Sequence, residues 1–179
     1  MKNENPIALK EWVALGQALR EGWQVVMIKP GDFRPPEKEF FLYPLYEMVD
    51  PALLGPRFKS WPAQAVKMRP SDGRVNLSVY LTVDSVLTVT DPRKIKSLAA
   101  LTIWSDALAG GKGPWQVLTV RCYRKPRPVE LDPGLEEPVS GDWIRFKKPV
   151  PTAGFFPVFS AEVFEDKKQA ALAAMADAS

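Results

Sequence analysis

The sequence predicts an α+β fold: one mixed, mostly antiparallel β-sheet packed by an N-terminal helix and one or more later helices. Three patterns point to it. Residues 23–29 and 40–47 are rich in β-branched and aromatic side chains and are bounded by Gly and Pro, as strands are. From Val75 to Val83 apolar and polar residues alternate with a period of two, the pattern of a half-buried strand. Leu9, Trp12, Val13, Gly16 and Leu19 recur at helical spacing and form one apolar stripe.

The elements follow in order. Asn5-Pro6 reads as the start of the first helix, with Asn as N-cap and Pro at the first helical position; Gly22 stops it. The first strand ends at Pro30-Gly31. The second carries Pro44, which cannot donate a ladder hydrogen bond and so belongs at an edge, a bulge or a strand end. Asp50-Pro51 starts a short helix that Gly55-Pro56 ends, and residues 57–69 read as irregular. A further strand from Ser85 to Val89 follows the alternating one. Asp91-Pro92 opens another helix, and residues 109–114 form a Gly-rich connector. Residues 115–123 are a strong strand, residues 126–138 an extended proline- and acid-containing loop, and residues 143–146 a short last strand. Ser160 caps a final alanine-rich helix over about residues 160–176.

At 179 residues and 46% hydrophobic composition, one domain over residues 1–179 is expected, with a core at about 7–165. The chain has no histidine and one cysteine, Cys122. Ser-His-Asp and Cys-His catalysis, histidine metal sites and an internal disulfide are therefore excluded. Cys122, mid-strand and without a base beside it in sequence, reads as structural. No run approaches the ~18 apolar residues of a membrane span. The first residues lack the apolar stretch of a secretory signal. The expected location is cytoplasmic, with no membrane partner. The net charge of +3 is compatible with a nucleic-acid partner without requiring one.

Several features together resemble a known family. Leu9-Lys10-Glu11-Trp12, the Gly22 stop and the Lys29-x-Gly31 turn belong to the resemblance. So do Phe41-Leu42-Tyr43-Pro44-x-Tyr46-Glu47, Trp104, Arg121-x-Tyr123-Arg124 with Pro126 and Pro128, and Pro157-Val158-Phe159-Ser160. In this order, from about Leu9 to Phe164, they resemble the bacterial family called domain of unknown function 1802. The resemblance implies a distant restriction-endonuclease-like fold, in which a helix precedes a small mixed sheet and acidic residues on adjacent strands hold Mg²⁺. Where the family tends to have Glu-His-Gln after the second strand, this chain has Glu47-Met48-Val49. A nuclease site of that kind needs Lys or Gln two residues after the Glu, and Val49 cannot serve. The resemblance therefore implies a nucleic-acid-associated protein with an incomplete metal site rather than an enzyme. A protein-interaction module using the prolines between Pro126 and Pro138, and a Mg²⁺-dependent nuclease, are the alternatives.

Two constellations could carry chemistry. Glu11, Asp32 and Glu47 would hold a hard cation such as Mg²⁺ if the first helix and first two strands brought their carboxylates together. Otherwise they are ordinary solvent-face, turn and strand-end residues. Arg121, Arg124, Lys125 and Arg127, with Arg145, Lys147 and Lys148, form the best basic set, with Tyr123, Trp143 and Phe146 interleaved. Such groups neutralise phosphates and stack on bases. They share a face if their two strands are neighbours; otherwise they are solvated strand ends beside core aromatics. Gly110-Gly111-Lys112-Gly113 lacks the spacing of a phosphate loop. Of the six tryptophans, Trp12 and Trp23 read as core, while Trp61 and Trp104 could line a groove.

Overall fold

Strands β1 (Glu4–Trp12), β2 (Val26–Pro30), β3 (Glu39–Leu45), β4 (Val75–Val89), β5 (Trp115–Leu131), β6 (Glu136–Ser140), β7 (Trp143–Pro151) and β8 (Phe156–Pro157) form one sheet in a computed structural model that describes residues 1–178. Its order is β2-β5-β4-β3-β1-β7-β6, with β8 paired to β5. All pairings are antiparallel except β1 with β3, so the sheet is mixed. Helices α1 (Val13–Arg20), α2 (Trp61–Lys67), α3 (Pro92–Ser97) and α4 (Ala161–Asp177) complete the α+β architecture. No helix among the described residues is long and apolar enough to cross a membrane.

The opening segment corrects the sequence reading. Asn5-Pro6 begins a strand, and helix begins only at Val13. The Asn5 side chain accepts a hydrogen bond from the Ile7 amide at 2.8 Å. That two-residue reach is the same local bond by which an N-cap starts a helix. Here it rounds Pro6 inside a bulge, where pairing with β7 shifts between Asn5 and Ile7. The Asn5 amide donates to Glu39 O at 2.7 Å and to the Tyr80 hydroxyl at 3.0 Å, so the buried side chain is satisfied. The restriction-endonuclease-like fold is not supported: the place of its leading helix is taken by β1, which lies inside the sheet between β3 and β7. Gly22 does follow the helix end, with φ of 76°.

Both faces of the sheet are covered. Ile7, Leu9, Phe40, Leu42, Leu81, Val117, Val120 and Trp143 belong to the larger core cluster, with Leu15 and Leu19 of α1 and Phe164 of α4. Ala8, Phe41, Val75, Leu77, Tyr80, Ile144 and Phe146 form a second cluster. Alternate residues of one strand thus serve different clusters, as in Ile7-Ala8-Leu9. The sheet curls enough for its remote members to meet. Lys29 of β2 reaches Glu11 of β1, four places away in the sheet order, with Nζ 2.5 Å from Oε2.

β4 is one continuous strand of 15 residues, where two are expected, and it carries bulges at Leu77/Val79 and Val83/Ser85. β5 does not give way to a loop at Pro126 but runs on to Leu131, and residues 136–140 form β6. Trp61 starts helix α2 within the stretch read as irregular. Trp23, read as core, is 45% exposed, and Trp104, read as a groove residue, is buried. Ser160 caps α4, accepting from Val163 N at 3.2 Å.

Candidate nucleic-acid interface

A pocket of about 190 Å³ opens where β1 passes into α1. Helix α1 and its preceding residue supply one wall through Trp12, Val13, Gly16, Gln17 and Arg20. Leu42, Pro44 and Tyr46 come from β3 and the residues after it, and Met68 from the end of α2. The opposite side is Asn76, Ser78 and Val79 of β4 and Pro128 of β5. The first β4 bulge creates this side. Leu77 pairs with Val129 and Val79 with Arg124, so Ser78 alone faces the stretch Lys125-Pro126-Arg127-Pro128. Proline has no amide to offer the ladder, so the two prolines there leave residues 125–128 of β5 out of register with β4.

Burial pushes the Tyr46 hydroxyl above its ordinary pKa, and the neighbouring positive charge of Arg69 opposes this. The hydroxyl stays protonated at neutral pH and can donate. Trp12 is held edge-on against Trp104 with ring centroids 5.7 Å apart. Past Pro44 and Tyr46 the depression continues into a second one of about 220 Å³, lined also by Tyr43, Arg69 and Arg74.

Two carboxylates line the pocket, and both are engaged. Glu11, 6% exposed, contacts Lys29 as above, and its Oε1 accepts from Trp12 N at 3.0 Å. Glu21 accepts from Gln17 Nε2 at 2.9 Å and from Trp23 Nε1 at 3.2 Å. Of the arginines around the two depressions, Arg74 is paired with Asp72, Glu130 and Asp132, whereas Arg20 and Arg69 are not so engaged. Arg124 donates to the Arg20 carbonyl at 3.5 Å. Among the described residues, Arg20, Arg69, Arg124 and Arg127 make no ion pair.

The acidic candidates take separate places. Glu11 is buried with Lys29, Asp32 is exposed in the turn after β2, and Glu47 is exposed beyond β3. Among the described residues no three His, Cys, Asp or Glu side chains gather to hold a metal ion.

The basic candidates divide in two. β5 and β7 are not neighbours; β4, β3 and β1 lie between them. On β5, Arg124 is joined to the rim by its bond to Arg20, and Arg127 adjoins the lining residue Pro128. Arg121 instead lies over the Phe164 ring at 4.2 Å, and Lys125 donates to Ala153 O at 2.7 Å. On β7, Arg145 is paired in register with Glu137 of β6, Lys147 donates to Gly134 O at 3.2 Å, and Lys148 is exposed. Cys122 is buried, and burial pushes its thiol up to about 12. Sequence reasoning misses Arg20, Tyr46, Arg69, Asn76 and Ser78; the one local signal was the proline pair opposite Ser78.

A curled mixed sheet with four helices and a pocket at its first strand–helix junction thus defines an α+β protein. The chain belongs to the family described as Domain of unknown function (DUF1802), whose model matches residues 8–170. Among solved structures it is similar to ASCH of Zymomonas mobilis. A serine-to-alanine mutant of that protein is 10% identical with a TM-score of 0.46, covering 96% of this chain and 99% of that one. The structure of ASCH without a mutation is 10% identical with a TM-score of 0.42, covering 93% of each chain. A tyrosine-to-phenylalanine mutant is 10% identical with a TM-score of 0.43, covering 71% of this chain and 75% of that one. No curated protein matches the chain.

Proposed function

We propose that this chain is a nucleic-acid-associated protein that binds through the α1–β4–β5 pocket and its rim. The observation that carries the reading is a pocket with aromatic and apolar walls that holds Arg20, continues past Tyr46 to Arg69, and has Arg124 bonded to the Arg20 carbonyl, none of the three in an ion pair among the described residues. Guanidinium groups that face solvent are available to phosphates, and each neutralised phosphate releases a counterion. The neutral polar groups inside, Asn76, Ser78 and Tyr46, can exchange hydrogen bonds with a base edge. Phosphate contacts supply affinity and the pocket supplies position. Neither role calls on a metal ion.

Anisotropy titrations of labelled RNA and DNA oligonucleotides over a range of salt test this. Three or four phosphate contacts give a slope of log K against log salt of roughly −2 to −3 for a single strand. Absence of salt-dependent binding overturns the reading. One observation favours a protein partner instead. β6 is an outer strand with exposed Val139, and an extended segment of another protein could add to its open edge. Deleting the β5–β6 turn, residues 132–135, while scoring lysate capture separates that reading from the first.

A further inference from the structure

We infer that the ligand is single-stranded, and that Trp23 is a stacking platform for the base next to the one at the pocket. This rests on the nucleic-acid reading and narrows it to a substrate class.

Trp23 follows α1 and is 45% exposed, unusual for so large a ring beside a core. It is nonetheless held in place. Its Nε1 donates to Glu21 Oε2 at 3.2 Å, and Gln17 Nε2 holds the other Glu21 oxygen at 2.9 Å. Phe58 meets the ring edge-on at 5.8 Å between centroids, and Arg57 lies over it at 4.5 Å. Phe58 is in turn backed by Trp61 at 5.0 Å. A fixed, exposed indole carrying a guanidinium is already ordered, so stacking on it costs little further entropy.

Position links this ring to the pocket. Gln17, Arg20 and Glu21 line the pocket, and Glu21 binds the indole directly. Arg57, like the rim arginines, makes no ion pair among the described residues. Arg20 at the pocket and Arg57 over the indole thus place a cation on either side of the Glu21 carboxylate, next to an exposed ring on which a base can stack.

Strandedness follows from the geometry. In a duplex both faces of each base are covered by its neighbours, so none is free for the indole. The pocket, walled by Trp12, Pro44 and Tyr46, likewise offers a place for an unstacked ring, which a base held in a duplex cannot reach without leaving its stack. Charge alone would not distinguish the two forms.

The experiment compares the full chain with its Trp23→Ala and Trp23→Phe variants, each checked for an unchanged thermal melt, on a 12-nucleotide single strand and the matching duplex. The expected result is about tenfold weaker single-strand binding for Trp23→Ala, with most affinity kept by Trp23→Phe. Quenching of tryptophan emission by the single strand should fall in Trp23→Phe, which a merely structural role would not cause. Equal single-strand affinity in Trp23→Ala, or wild-type preference for the duplex, overturns the inference while the rim arginines can still account for binding. No binding by the wild-type protein removes the inference together with the function it rests on.

Discussion

The α1–β4–β5 pocket and the β6–β7 hairpin carry the same kinds of residue and differ in what surrounds them. Around the pocket, the carboxylates are taken up by specific partners, Glu11 by Lys29 and Glu21 by Gln17 and Trp23. Arg20 and Arg69 make no ion pair beside this concave, aromatic-walled space, while Arg74 is taken up by Asp72, Glu130 and Asp132. On the hairpin, Arg145 lies opposite Glu137, Lys147 is tied to the Gly134 carbonyl, and Glu136 accepts from the Tyr43 hydroxyl at 3.0 Å. Burial and that acidic neighbour push the Tyr43 hydroxyl up to about 12. Charges facing each other across two strands in water contribute little to stability or to binding. A run of basic residues is thus not yet a site. The pocket differs from the hairpin in setting a concave, aromatic-walled cavity beside its basic residues.

The largest expected effect is on stability and sharpens this contrast. Glu11→Ala leaves Lys29, whose side chain is 13% exposed, without its partner between two strands. A loss of about 3–5 kcal/mol in urea denaturation is expected. Glu137→Ala on the hairpin should stay within about 0.5 kcal/mol. Equal losses would break the distinction between the two regions. Next comes filling the pocket. Ser78→Tyr should weaken oligonucleotide binding about tenfold, the equivalent of one lost base contact, while the melting temperature moves little. If affinity survives, the cavity is not part of the interface.

The smallest expected effect is none. Because burial raises the Cys122 thiol to about 12, only about one molecule in ten thousand is thiolate at pH 8. A thiol-disulfide exchange reagent should therefore leave native protein unmodified at that pH and label it fully in denaturant. Rapid native labelling would contradict the packing of β5 under Phe159 and Phe164 beside the rim.

The sheet class was legible in the sequence because strand composition and period-two alternation are local. The first helix was misplaced because Asn5-Pro6 makes the same short-range bond in a bulged strand as at a helix start. The apolar stripe from Leu9 to Leu19 joins residues of a strand to residues of a helix. β4 hid the site for a related reason. Val75, Leu77, Val79 and Leu81 share one parity, yet the bulge at Ser78 sends the first two to one core cluster and the last two to the other. Unbroken alternation concealed the place where the backbone turns over, and the proline pair that causes it lay some fifty residues away. Of the basic residues, Arg124 was visible as part of a cluster, but Arg20 meets it, and Arg69 reaches the adjoining depression, only through folding.

The most direct test sets the two regions side by side. Arg124→Glu with Arg127→Glu, and separately Lys147→Glu with Lys148→Glu, are titrated with the same labelled single strand at low and high salt. Each pair changes the net charge by the same amount, so a nonspecific field effect would be equal. The β5 pair is expected to lose about tenfold or more in affinity at low salt and to flatten the salt slope, with the β7 pair within about twofold of wild type. Equal losses from the two pairs, or a larger loss from the β7 pair, would contradict a site at the pocket rim.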